Sequence, residues 1–153
     1  MRRAAFATVL CALGAPLPAQ AVSETEEGFA AAMQGCWTQT RWGEEIEKLR
    51  ADPDFTITAT MCFEGGVTGQ IDAFYCDGRP HIDCWDSHPS YAFKDKKLWR
   101  YFEEETPDGQ AVSCDVRLVP GKQVQLHGCL GHAADGSVVR MLDDAVYERQ
   151  VTP

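Results

Sequence analysis

Beyond its first twenty-one residues the chain has no apolar run approaching the ~20 residues of a membrane-spanning helix. It also has no G-x-S-x-G, no H-E-x-x-H, no glycine-rich phosphate loop and no C-x-x-C. Nothing therefore signals a hydrolase elbow, a zinc protease or a nucleotide site, and no catalytic residue is assigned. Internal repeats and low-complexity tracts are absent, and helical periodicity is confined to two short stretches. Basic residues are few: 14 Lys and Arg against 23 Asp and Glu leave a formal net charge of −9. That balance argues against nucleic acid and anionic membranes as partners. An acidic surface is what a protein that must stay soluble carries in any case.

The first twenty-one residues read as an export leader. Arg2 and Arg3 precede an apolar core from Ala4 to Gly14, and Ala19-Gln20-Ala21 is a small-x-small cleavage site. Leu10 stands before Cys11 where lipid attachment requires a small residue. Residues 22–153 then form a single domain, two units more negative than the −9 of the whole chain. Six cysteines remain there, an even set in a chain bound for the periplasm or the exterior.

Ser23 and Glu26 make a capping box, so a short helix is expected to run to Gly35 with Phe29 and Met33 on one face. A second short helix is expected over 44–49, ended by Asp52-Pro53. The rest reads as strands. In residues 55–63, Phe55, Ile57, Ala59, Met61 and Phe63 alternate with Thr56, Thr58, Thr60 and Cys62, which is the period of a half-buried strand. Gly65-Gly66 leads into 67–76, with Val67, Ile71, Ala73 and Tyr75 on one face. Short strands follow at 83–87, 91–93, 98–103, 112–118, 123–130, 138–142 and 145–149, joined by tight turns such as Asp135-Gly136. The expected fold is all-β, an antiparallel meander that closes into a barrel of about eight strands, since closure removes exposed edges.

Gly35-Cys36-Trp37 at the start of the first strand, directly after a short helix, and Arg149 in the last strand resemble the lipocalin-like, or calycin, superfamily. The resemblance implies that Trp37 sits at the closed end of the barrel with Arg149 packed across it, as a guanidinium packs on an indole.

Strand register orders the cysteines. With Phe63 opposite Val67, Cys62 faces Thr68 and Cys76 faces Asp54, so Cys62 and Cys76 lie roughly 25 Å apart at ~3.3 Å per residue. A bridge needs Cα atoms within about 7 Å. Cys36 can instead face Cys62 across the first two strands, and Cys76–Cys84 can clip the intervening loop. Cys114 and Cys129 remain, on opposite faces if the apolar residues of their strands are aligned. A two-residue turn at Pro120-Gly121, or a bulge, would bring them together. The rival reading, a zinc site from Cys76, His81, Cys84 and His88 or from Cys129 and His132, has irregular spacing, and no metal or cofactor is assigned.

His127 and His132 read as surface histidines, and Glu103-Glu104-Glu105 as a solvated turn. Asp83-Cys84-Trp85-Asp86 would suit the rim of a binding mouth. An eight-stranded barrel is wide enough to be filled by side chains or to hold one small ligand. Candidate ligand-contacting residues are Trp37, Tyr75, Trp85, Trp99, Tyr101 and, if it points inward, Arg100 as a polar anchor. The leading expectation is an exported, disulfide-stabilised barrel that binds a small apolar molecule without catalysis. The alternatives are an interaction module or inhibitor using the loop clipped by Cys76–Cys84, and an envelope hydrolase or metal enzyme.

Overall fold

Threonines on one face and apolar residues on the other set the wall of the molecule. In strand β2 (Thr56–Gly65), Ala59, Met61 and Phe63 are buried while Thr56 and Thr58 face solvent. The computed structural model describes residues 25–119 and 121–150. The expected leader, Ser23 of the expected capping box and Pro120 lie outside the described residues. Helix α1 (Glu26–Met33) is capped by Thr25, whose Oγ1 accepts from the Gly28 amide at 3.1 Å. There follow β1 (Gly35–Arg41), α2 (Glu44–Arg50), β2, β3 (Thr68–Gly78), β4 (Ile82–Ser87), β5 (Ser90–Lys94) and β6 (Lys97–Thr106). The chain continues with β7 (Gly109–Val119), β8 (Gln123–His132), β9 (Val138–Met141) and β10 (Ala145–Arg149).

Eight of these strands close into an antiparallel ring in the order β1, β2, β3, β5, β6, β7, β8, β10, with β10 returning to β1. Strand β4 hangs on β3 and β9 on β8, outside the ring. This is the barrel expected from the meander. Its narrow end is plugged by α1, which buries Ala30 and Met33. There Trp37 is fully buried and its Nε1 donates to Met33 O at 2.7 Å. The Arg149 guanidinium lies 5.1 Å from the Trp37 ring centre and donates to Ala32 O. Phe63 and Phe93 meet Tyr91 edge-on at 5.3 and 5.5 Å, and Ile71, Leu98 and Val124 are buried with them. The narrow half of the barrel is thus filled by side chains.

The β2–β3 register differs from the one expected. Phe63 faces Ile71, Cys62 faces Asp72 and Cys76 faces Thr58. Val67 does not return to Phe63 because its carbonyl is taken by the Phe93 amide at 2.8 Å, so the ladder begins at Gly65↔Gly69. Cys62 and Cys76 still lie apart along their strands.

Three disulfides tie the wall: Cys36–Cys62, Cys76–Cys84 and Cys114–Cys129. The first two join residues directly opposite in their ladders. The third depends on a bulge. Ser113 faces Leu130, but Asp115 faces His127, so β8 spends one extra residue there. Gly128, at φ +56°, is in the left-handed region that favours glycine and supplies the turn of the backbone. The bulge shifts Cys129 onto the inward face with Cys114, and both sulfurs are buried.

Candidate functional site

The wide end of the barrel holds an open cleft of about 380 Å³. Gln39 and Trp42 line it from β1 and the link beyond, Arg100 from β6, Leu126 and Cys129 from β8, and Tyr147 from β10. Helix α2 stands at its rim through Ile46. The rim is built locally. The Trp42 amide donates to Glu47 Oε1 at 2.8 Å, and Arg50 grips the same carboxylate at 3.0 Å. Those bonds, the Trp42 amide first, hold the Glu47 carboxyl below its ordinary pKa. Gly43 lets Asp143 come against the start of α2, since a Cβ there would meet Asp143 Oδ2 at 1.8 Å. Arg140 pairs with Asp108 at 3.0 Å on the opposite rim, and both are cleft-lining residues.

Arg100 brings a positive charge into this cleft from the barrel interior. Leu98 is buried inside the barrel, and Arg100, two residues on, shares its face. Its Nη1 reaches Met61 Sδ at 3.9 Å. Its Nε is buried and has no hydrogen-bond partner, and among the described residues no carboxylate pairs with it. Tyr147 lies near enough to feel its charge. Burial pushes the Tyr147 phenol well above its ordinary pKa, the Arg100 charge pulls against that shift, and Tyr75 adds to it. Asp108, Asp143 and Asp144 also line the cleft, but none of them pairs with Arg100. A guanidinium in a barrel interior without a paired carboxylate, beside the Tyr147 phenol, is an arrangement suited to an anionic group from outside.

The other candidate residues do not gather here. Trp37 is part of the plug at the narrow end. Tyr75 packs against the core on the inward face and stacks on Trp85 at 5.8 Å, while Trp85 itself is 48% exposed on β4. Trp99 and Tyr101 lie on the outer face of β6, nearly parallel at 6.2 Å, and line a separate open cleft of about 460 Å³. Lys94 Nζ sits 4.8 Å from the Trp99 ring centre, and His132 stacks on the same ring at 4.9 Å.

His132 is therefore not a surface residue, as its place near a turn suggested. It is only 9% exposed because Trp99 reaches across β7 to cover it. Its Nε2 lies 2.8 Å from Ser113 Oγ and its Nδ1 lies 3.4 Å from Gly136 O. The tautomer that satisfies both contacts donates from Nδ1 to the carbonyl and accepts the hydroxyl proton at Nε2. The Ser–His spacing is that of a nucleophile and its base, but Ser113 is 2% exposed, so a substrate has no approach to the hydroxyl. The pair satisfies two buried polar side chains. His127 is exposed, as expected. The proposed thiolate ligands Cys76, Cys84 and Cys129 are consumed in disulfides, and among the described residues no cluster of three potential ligands occurs.

Of the cleft's residues, sequence reasoning named Arg100 but missed Tyr147, Gln39 and Leu126. A signal for two of them existed: Gln39 and Tyr147 lie two residues from Trp37 and Arg149 along their strands and so share the inward face.

No protein-family model, no curated protein and no solved structure matches this chain. No helix among the described residues is long and apolar enough to cross a membrane.

Proposed function

We propose that the protein is an exported, disulfide-held barrel that binds a small, partly apolar molecule bearing an anionic group, taken up through the wide end. The observation that carries this reading is Arg100, an inward guanidinium with a buried, unpartnered Nε and, among the described residues, no ion pair to any carboxylate. The ligand's carboxylate or similar group meets Arg100 and the Tyr147 hydroxyl. Its apolar part lies against Trp42, Leu126 and the Cys114–Cys129 bridge. A cleft of about 380 Å³ falls toward the small end of the ~300–1,000 Å³ found for ligand pockets, which favours a short chain or a single ring. Three disulfides suit an oxidising compartment, which supports export to the periplasm or beyond. The likeness to lipocalin-like proteins belongs to this proposal: the Trp37–Arg149 contact at the narrow end is the feature that supports it.

Trp42 lines the cleft, so tryptophan emission reports occupancy. Short-chain and aromatic carboxylates are expected to change that emission with saturation, and the matching alcohols and amines to do so much more weakly. Equal response to acid and alcohol, or no saturable response from any of them, sinks the reading.

A further inference from the structure

A separate feature lies in the wall itself. Strands β4 and β5 run along β3 in one register, since Ala73↔Ser87 and Thr68↔Ala92 belong to the same antiparallel ladder. Pro89 divides them: its carbonyl accepts from the Ile71 amide at 2.9 Å, but it has no N–H to return. Strand β5 goes on to pair with β6, and that ladder stops at Ser90↔Tyr101. Continued in the same register it would set His88 against Glu103, Ser87 against Glu104 and Asp86 against Glu105. Two acids directly opposite each other disfavour pairing. The strands part at this point and leave a cleft of about 450 Å³ lined by Ser87, His88, Pro89, Phe102, Glu103 and Glu104.

The outer side of β4 is thereby an unpaired edge of the sheet. Which backbone groups it offers follows from alternation. Phe93 donates to Val67 and Pro89 accepts from Ile71, so the odd-numbered residues of this strand bond toward β3. The N–H and C=O groups of Cys84 and Asp86 and the N–H of His88 then face the gap, while the His88 carbonyl accepts from Gln70 Nε2 at 3.3 Å. The edge is held straight by Cys76–Cys84 and by the Asp72–His88 contact at 2.9 Å. It carries no lysine, proline or bulge of the kind that usually blunts such an edge, and Ile82 and Trp85 are half-exposed on it.

We propose that this edge accepts an extended basic peptide as an added strand. Charge selects the occupant. Glu103 and Glu104 line the gap, Asp86 and Glu105 are the next acids along its two banks, and no Lys or Arg lines it. The one basic side chain lining it, the His88 imidazole, already rests on Asp72 and on Asp86 at 3.4 Å. Main-chain bonds to β4 supply affinity, and alternate Lys or Arg side chains of the peptide reach the acids on either bank. This site uses neither Arg100 nor the cleft at the wide end, so it stands or falls independently of the ligand reading.

The test takes the exported form of the full chain, with its disulfides formed, and an acetylated octapeptide alternating lysine and valine. Amide exchange followed by NMR is expected to slow at Cys84, Asp86 and His88, with binding that weakens as salt rises. Asp86→Pro removes an N–H that faces the gap and is not bonded to β3, so it is expected to leave near-UV circular dichroism unchanged and abolish the protection. Glu103→Lys with Glu104→Lys keeps the backbone edge and is expected to lower affinity roughly fivefold or more. The proposal is overturned by equal binding of the glutamate–valine counterpart, by protection confined to β9, by undiminished binding to Asp86→Pro, or by self-association through β4 that the peptide does not compete away.

Discussion

Replacing Arg100 by methionine separates a functional guanidinium from a structural one. In the free protein its Nε is buried without an acceptor, and Nη1 meets only a thioether. A buried donor left unsatisfied costs about 1–3 kcal/mol. Methionine keeps the length of the apolar stem, meets Met61 sulfur to sulfur, and brings no donor. Arg100 is only partly buried as a whole, so the lower part of that range applies, and Arg100→Met is expected to stabilise the oxidised fold by about 1–2 kcal/mol. At roughly 4 °C per kcal/mol for a domain of this size, Tm rises by about 4–8 °C. Near-UV circular dichroism melts and urea titrations read the change, and carboxylate binding is lost in the same variant. Lys48→Met is the control, because Lys48 does not line the cleft and its ion pair with Glu44 is exposed and worth at most about 1 kcal/mol. The reasoning is refuted if Arg100→Met lowers Tm by several degrees. That result would mean the guanidinium clasps the barrel together and is not held in readiness for a ligand.

Two other outcomes follow from the geometry. The hydrogen bond that His88 Nδ1 donates to Asp72, and then the charges of Asp86 and Asp72, raise the pKa of His88 above its ordinary value. Its stabilising contribution is therefore full below the unfolded-state value of ~6.5 and is lost as pH rises through the raised folded value. NMR titration of the His88 ring should show that upward shift, and Asp72→Asn should remove most of it. Gly128→Ala places a Cβ at φ +56° and 3.1 Å from Asp115 Oδ2, so a loss of about 1–2 kcal/mol is expected, while asparagine, which tolerates that conformation, should cost less. Urea denaturation of the oxidised proteins measures both.

Local pattern carried most of the wall. The threonine alternation of β2 needs only a half-buried strand, and residues of strands adjacent in sequence can meet by phase alone, whether a short loop joins them (Cys76–Cys84) or a helix does (Cys36–Cys62). That is why Cys36–Cys62 and Cys76–Cys84 were readable from spacing and phase. The β2–β3 register was not, because it is decided by a distant residue: Phe93 takes the Val67 carbonyl that a tight turn would have used. His132 was misread for the same kind of reason, since the ring that covers it comes from Trp99, two strands away across β7.

The Cys114–Cys129 pair shows most sharply what period-two reading needs. Alignment of the apolar faces put the sulfurs on opposite sides of the sheet, and both statements were sound for a regular ladder. The ladder is not regular, and one glycine in a left-handed conformation reverses the phase of everything after it in β8. The same residue that resolves the disulfide therefore also decides which of the later β8 side chains face inward. Leu126, before the bulge, and Cys129, after it, both line the cleft with Arg100, although their odd separation would place them on opposite faces of an unbroken strand. The apolar wall of the proposed binding site is thus a consequence of Gly128, and a loss of the bulge would be expected to disturb the bridge and the cleft together.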